Sequence, residues 1–581
     1  MEQQIKIDYA GKYVEVRFAY DPRLTIIMQN APAAQWNRYR RCWQMPPNDI
    51  TIKWTKDFEI LWPGIKVERS KKFIKFIETR ESNVNAVINC RKSISRPLAS
   101  VDNADYKLKP YPHQLEALRF LMRRIKIGKN FAALFYEMGL GKTKIVIDFM
   151  KLTNSKTALI VVPKTLSYSW RKEIEKNLGT KKIAVLDATR GQTKSRAWKI
   201  AQMRENSALR NYKRIVLINY DALRNDSLLS TLLDYQWSII ALDESTYIKN
   251  IKAKRTKAAI KLGEKADFKI LMTGTPITNS YVDLFAPLQF LSSEILGIPT
   301  FTAFKATYAV MGGFKAKQIV SWKNLDDLMS KVRLHSLIAT LDECLDKLPK
   351  AMPPKIRTVS LEDHSDIRDA YNSMRKELIH IFTDGTEVTA PNVLTRCLRL
   401  QQITSGFLTD ESKKIIPIAP PPKIEPLIET ISELGDQEKV IIGARFHYDI
   451  EQIKKALAPF GKIEIITGKI TGKKRDKAVE SFEQDPEARF LVGTPKTFGY
   501  GLTFIKTRYI VWYSPNFSLE ERKQTNARIR RPGQKRRAVY IDLACENTID
   551  ELIITALMKK GDLLDYVMDI GSKIAEVLPE I

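Results

Sequence analysis

Two kinds of hydrophobic patterning alternate along most of this chain. Short unbroken apolar runs, such as Phe131-Ala-Ala-Leu-Phe135, have the length of strands buried on both faces. Between most of them lie segments with apolar residues at helical spacing. From Lys107 onward the predicted strands are Phe131–Phe135, Ala158–Val162, Ile183–Leu186, Ile215–Ile218, Ser238–Leu242 and Lys269–Thr273. Strand and helix in this order predict a parallel sheet covered on both faces. From about Leu291 to Leu400 the alternation stops, and helical, charged segments take over. Leu348-Pro-Lys-Ala-Met-Pro-Pro354 and Ala419-Pro-Pro-Pro422 punctuate this region. A second alternation follows, with strands at Lys439–Gly443, Ile463–Ile466, Phe490–Gly493, Tyr509–Tyr513 and Ala538–Leu543. There is no short repeat, so the two blocks read as a duplicated sheet domain.

The first hundred residues read as a separate unit. Lys12–Phe18 alternates as a strand does, and Leu24, Ile27 and Met28 have helical spacing. In the stretch from Ala34 to Pro46, Trp36 and Trp43 flank the basic cluster Arg38, Arg40 and Arg41. Rings interleaved with cations suit stacking on bases and contact with phosphates. The same two rings would serve equally well as core.

Composition narrows the partners. The 581 residues carry 95 Lys+Arg against 66 Asp+Glu, a formal charge of +29. That excess points to a polyanion, most simply nucleic acid, with a merely solvated basic surface as the alternative. Cys42, Cys90, Cys344, Cys397 and Cys545 lie far apart and lack zinc-ligand spacing. The start, Met-Glu-Gln-Gln-Ile-Lys, has no apolar signal core, and no run approaches the ~20 apolar residues of a membrane span. The expectation is an intracellular protein with no membrane partner, in the cytoplasm or nucleoid, or in the nucleus of a eukaryote.

The chemistry centres on Tyr136-Glu-Met-Gly-Leu-Gly-Lys-Thr143, set between a predicted strand and a predicted helix. Gly139 and Gly141 let the loop Met138–Gly141 curl its N–H groups toward one anion, where a helix N-terminus adds partial positive charge. Lys142 would reach the β- and γ-phosphates of ATP, and the Thr143 hydroxyl would hold Mg²⁺. Tyr136 stands where the usual phosphate-loop pattern has Gly. Asp243 and Glu244 follow a buried strand, where ligands bind in such sheets. Asp243 would hold Mg²⁺ and Glu244 would polarise water. Gly274 begins a turn, Thr273-Gly-Thr-Pro276-Ile-Thr-Asn279, placed to sense the γ-phosphate. In the second block, Gln524-Thr-Asn-Ala-Arg528-Ile-Arg-Arg531 puts Arg528 and Arg531 three apart, on one face if helical. Such a pair can neutralise charge on a transferred phosphoryl group.

In this order the motifs resemble superfamily-two helicases, specifically the Swi/Snf-like group of double-stranded-DNA translocases, from about Lys107 to Lys560. Leu108–Gln114 resembles the Q motif, in which Gln114 would read adenine. Glu137–Thr143 is similar to motif I, and that group also lacks Gly at the Tyr136 position. Val161–Trp170 resembles motif Ia, which implies nucleic-acid contacts at Lys164, Thr165 and Trp170. Asn219 and Tyr220 resemble motif Ic, which implies nucleic-acid contacts there as well. Thr273–Asn279 is similar to motif III, with Thr278 where Gln is common. Arg445 falls in a motif IV, and Thr494 and Lys496 in a motif V whose Gly-rich part holds Tyr500 and Gly501. Gln524–Gln534 resembles motif VI, with Gln524 on the nucleotide. Motif II reads Asp-Glu-Ser-Thr, with Thr246 where the family usually has His. Tyr20–Pro22, the helix after it, Trp36 and Trp43–Pro46 resemble the HARP module of annealing helicases.

The resemblance implies an α/β fold of two RecA-like parallel-sheet lobes with helical insertions, plus a small α+β N-terminal domain. The expected domains are a HARP-like nucleic-acid-binding module at 1–100, lobe 1 at 101–295, helical insertions and linker at 296–420, lobe 2 at 421–560 and a tail at 561–581. The implied activity is ATP hydrolysis with Mg²⁺, coupled to movement on duplex or forked DNA, and fork remodelling or strand annealing where the module acts. A strand-separating DNA or RNA helicase and a non-motor DNA-binding protein are the alternatives. A lone phosphate-loop kinase or GTPase would not explain the second block with its Arg pair. No protein partner is implied.

Overall fold

The computed structural model describes residues 3–277, 280–312, 318–345, 348–383, 390–410, 412, 414–470, 473–498 and 502–559. Thr278, Asn279, Tyr500, Gly501 and the tail 561–581 lie outside them. The chain divides into two compact units, Met1–Thr340 and Leu341–Ile581.

The first unit holds two large sheets and a small hairpin. The N-terminal one comprises β1 (Gln3–Tyr9), β2 (Val14–Phe18), β3 (Gln35–Asn37), β4 (Cys42–Met45) and β5 (Ile65–Arg69), in the order β3-β4-β2-β1-β5. Its alternation has a simple cause. Ile5, Ile7, Val14, Val16 and Met45 face one core with Phe58, Phe73 and Ile77, and the intervening positions point away. Trp36 and Trp43 are partners across the β3–β4 hairpin.

The second sheet is entirely parallel. It comprises β6 (Phe131–Tyr136), β7 (Thr157–Val162), β8 (Ile183–Asp187), β9 (Lys213–Asn219), β10 (Trp237–Asp243) and β11 (Ala266–Met272). Every residue of β6 and β7 is buried, because helices cover both faces. The order β6-β11-β10-β7-β9-β8 makes β6, β11 and β10 neighbours, so the loops at their C-terminal ends lie side by side.

Residues 296–420 are largely helical, as in Ser365–Thr383 and Ala390–Ile403, but they also hold strands that the sequence did not predict. They contain a hairpin, β12 (Ala309–Gly312) with β13 (Gln318–Trp322), and an edge strand, β14 (Ser336–Ala339), beside β6. They also contain β15 (Lys355–Val359), the edge strand of the second unit's sheet. Both edge strands are short, and β15 is largely exposed, so they lack the long apolar run that marks a central strand.

Residues 1–100 belong to the first compact unit rather than standing apart. Asp49 accepts from the Arg80 guanidinium at 2.6 and 3.1 Å and pairs with Lys331 at 3.1 Å. Arg91 donates to the Ser336 carbonyl at 2.6 Å. These cations hold the Asp49 carboxyl well below the usual carboxylate range despite its burial.

In the second unit a small hairpin, β16 (Phe407–Thr409) with β17 (Ile415–Pro417), precedes the main sheet. That sheet adds β18 (Val440–Gly443), β19 (Lys462–Ile466), β20 (Ala488–Gly493), β21 (Tyr509–Trp512) and β22 (Val539–Cys545). All pairings are parallel, in the order β15-β22-β21-β18-β20-β19. Neighbouring residues of each strand enter opposite cores: Val440 and Ile442 pack with Val511, whereas Ile441 packs with Ile510 and Leu491. Among the described residues no helix is long and apolar enough to cross a membrane.

Candidate functional site

The turn between β6 and the helix Lys142–Leu152 is built by its glycines. Gly139 and Gly141 adopt φ of 97° and 76°, in the left-handed region. A Cβ on Gly141 would come within 2.2 Å of Gln114 Nε2, so the position is closed sterically as well. Gln114 braces the loop from below. Its amide N–H donates to the Leu140 carbonyl at 3.2 Å, and its Oε1 accepts from Tyr111 N–H at 3.0 Å. His113 Nε2 reaches the same Leu140 carbonyl at 3.0 Å, and burial holds its imidazole below the usual pKa. The Lys142 ammonium is nearly buried and donates to the Tyr136 carbonyl at 2.7 Å. Gly274, after β11, packs on this loop, with its Cβ position 3.5 Å from Met138 N and from the Tyr136 carbonyl. Met138 and Thr143 are half-buried in the same turn.

Asp243 ends β10, two strands from the loop. Its Oδ2 accepts the Trp170 indole N–H at 2.8 Å, and its Oδ1 accepts Glu244 N–H at 3.1 Å. The Tyr220 hydroxyl donates to its carbonyl at 2.6 Å. Glu244 is a non-glycine residue with φ 51° and ψ 58°, a left-handed conformation that costs on the order of 1 kcal/mol or more.

Trp170 and Tyr220 correct the nucleic-acid expectation. Each is 2% exposed and so cannot touch a strand of DNA; each positions Asp243 instead. The helix Ser167–Leu178 buries Trp170 with Ile174, a spacing of four that signals a core face. Lys164 and Thr165 are exposed on the turn just before that helix. Asn219 is half-buried and accepts from Arg196 at 2.9 Å.

In the second unit Arg528 and Arg531 do not share a helix face. The helix Leu519–Asn526 stops before them, and they sit on the turn that leads into Pro532 and Gly533, the latter at φ 103°. They nevertheless converge. Arg528 donates to the Leu502 carbonyl at 3.3 Å, and Arg531 donates to the adjacent Thr503 hydroxyl at 3.0 Å and to the Ala527 carbonyl at 3.1 Å. Burial brings Arg531 down to about 10, which leaves it cationic at neutral pH. The sequence reading passed over Arg522, which forks onto Asp542 of β22 at 2.7 and 2.5 Å and anchors the helix carrying this turn. Gln524 is buried and donates to Glu520 at 3.1 Å.

Arg445 is stacked rather than free. Its guanidinium lies 3.7 Å from the Phe517 ring centroid and donates to Asn516 at 3.1 Å, and burial lowers it to about 10. Thr494 is half-buried, and Lys496 is exposed on the short helix Pro495–Phe498. On the N-terminal sheet Trp36 is 50% exposed, with its ring 5.7 Å from the half-buried Trp43. Arg40 pairs with Glu15 at 2.8 Å, while Arg38 and Arg41 are exposed.

The SNF2-related domain matches residues 113–406, about half of the chain, and the helicase conserved C-terminal domain matches residues 422–533. The chain belongs to the SNF2-related family. Membership makes it an enzyme of the helicase type, an ATP hydrolase. It is 25% identical over 469 residues to an uncharacterized ATP-dependent helicase of Mycoplasma pneumoniae, covering 78% of this chain and 42% of the relative. It is 24% identical over 514 residues to the DNA repair and recombination protein RAD54-like of Drosophila persimilis, covering 79% and 63%. It is 24% identical over 499 residues to the DNA annealing helicase and endonuclease ZRANB3 of Bos taurus, covering 82% and 43%. The SNF2-related chain thus spans less than two thirds of the length of each of these relatives.

Proposed function

We propose that this SNF2-related protein couples ATP hydrolysis to movement along duplex or branched DNA. One observation carries the reading: a glycine-built anion cradle, Gly274 and the Asp243–Glu244 pair sit on three neighbouring strand ends. Lys142 exchanges the Tyr136 carbonyl for nucleotide phosphate oxygens. Thr143 and Asp243 supply a hydroxyl and a carboxylate, the oxygen donors Mg²⁺ takes alongside phosphates, and the closed cradle at Gly141 fits phosphate better than any side chain. The bound ion would neutralise phosphate charge. Glu244 orients and deprotonates the attacking water, and Arg528 and Arg531 trade their backbone partners for the phosphoryl oxygens. Gln114 and Gln524 complete the nucleotide contacts.

DNA is gripped through its phosphates by Lys164, Thr165, Asn219, Thr494 and Lys496, with Arg445 held ready by Phe517. Residues 1–100 act as a HARP-like module, with Trp36 and the free arginines of its hairpin reading splayed bases at a junction. Residues 101–295 and 421–560 serve as the two motor lobes. The task served is DNA repair, recombination or replication by fork remodelling or strand annealing, carried out inside the cell wherever its DNA lies. The annealing activity named for the bovine relative supports this choice over strand separation. The test compares ATPase stimulation by single-stranded, duplex and forked DNA and by RNA. Forked or duplex DNA should stimulate most; greater stimulation by RNA would overturn the reading.

A further inference from the structure

The helix Lys71–Lys92, the helix Leu325–His335 and the segment at Glu294 and Ile295 bound an open cavity of about 1160 Å³. Its floor is apolar, with Val84, Val87, Ile88 and Phe76 on one side and Ile295 and Leu334 on the other, and Phe131 also lines it. Its walls are cationic: seven lysines and arginines line it against three carboxylates. Those carboxylates are already satisfied inside the cavity. Asp49 is held by Arg80 and Lys331, Asp327 by Lys331 at 2.8 Å, and Glu294 by Lys129 at 3.6 Å. Lys75 and Arg333 are exposed on the rim and have no ion pair among the described residues. His335 in the same wall reports the field, held down to about 3 by burial and then by Arg124, Lys129 and Arg80.

We infer that this cavity is a docking groove for an acidic amphipathic helix of a partner protein. An apolar floor between cationic rims is the complement of a helix with one leucine-rich stripe and one acidic face. The rail is long enough, since 22 residues of helix span about 33 Å. The cavity exceeds the ~300–1,000 Å³ of small-molecule sites. The groove uses none of Lys142, Asp243 or Arg531, so it stands apart from the motor reading.

The test uses the full chain and a fluorescein-labelled peptide of about 18 residues, with Leu on one helical stripe and Glu elsewhere. A scrambled peptide of the same composition is the control, at about 0.15 M salt to suppress diffuse attraction. The amphipathic peptide should bind at least roughly tenfold tighter than the scrambled one. Val84→Trp, which fills the floor, should weaken it about tenfold, and so should Lys75→Glu with Arg333→Glu, while basal ATP hydrolysis stays unchanged. Equal binding of the two peptides, or indifference to both variants, would overturn the proposal. So would an oligothymidylate that outbinds the peptide and is lost in the same variants, which would give the groove to single-stranded nucleic acid.

Discussion

The two parallel sheets present their charged groups in different ways. At the end of the first, backbone conformation does the placing: left-handed glycines shape the loop before Lys142, and a left-handed Glu244 follows Asp243. At the end of the second, Arg531 sits on ordinary backbone, and its guanidinium rests on the Ala527 carbonyl and the Thr503 hydroxyl. A closed loop shaped by glycines is pre-organised for one ligand shape. A guanidinium on neutral acceptors is exchangeable, because charge-assisted hydrogen bonds to phosphate are stronger. The loops of the first sheet should therefore govern binding and chemistry together, and the Arg528–Arg531 turn of the second chemistry alone.

Lys142→Ala gives the largest expected break. ATP hydrolysis should fall by on the order of 10³-fold or more, with DNA binding at low salt retained, as a phosphate-release assay beside a filter-binding titration would show. Glu244→Gln should keep ATP bound and unhydrolysed, because the amide can hold water but cannot take its proton. Arg531→Ala sharpens the contrast: kcat should drop by about 10³-fold while nucleotide affinity holds. A loss of affinity with kcat intact would make Arg531 a ground-state binder like Lys142 and erase the distinction.

Trp170→Phe is milder and specific to the first sheet. It keeps the ring in the core but removes the N–H from Asp243. Half-saturating Mg²⁺ in the ATPase should rise roughly tenfold, with the melting temperature little changed. Trp36→Ala should cost about five- to tenfold in affinity for forked DNA and nothing for blunt duplex. Equal losses on both would leave the N-terminal hairpin without a junction-sensing role.

The smallest effect concerns stability. In the second unit, burial pushes the Asp449 carboxyl up to about 7, against the opposing hydrogen bond from Ser514 and the field of Lys423. The folded chain thus keeps a proton that the unfolded chain gives up above about pH 4. Stability should fall as pH climbs from 4 toward 7 and then level off. Asp449→Asn should flatten that dependence by a few degrees in Tm, read by calorimetry. A slope unchanged by the substitution would place its origin elsewhere.

Central strands were legible because burial on both faces writes itself as an apolar run, and the loops at Lys142 and Asp243 were legible because their chemistry is local. Contiguous residues such as Gly139 to Thr143 need only their own turn to face one anion. What required the folded chain were relations across long separations. β14 has only four residues, and β15 is short and largely exposed, so neither announces itself. Trp170 reads equally as a surface ring or a core ring until β7 and β10 lie side by side and bring its indole to Asp243. Arg528 and Arg531 have helical spacing, yet the helix ends at Asn526 and they meet through Leu502 and Thr503. The sequence by itself determined the central strands and the glycine turn before Lys142. Only the tertiary structure decided which side chains are buried, because a side chain's exposure depends on neighbours that are distant in the chain and placed by packing.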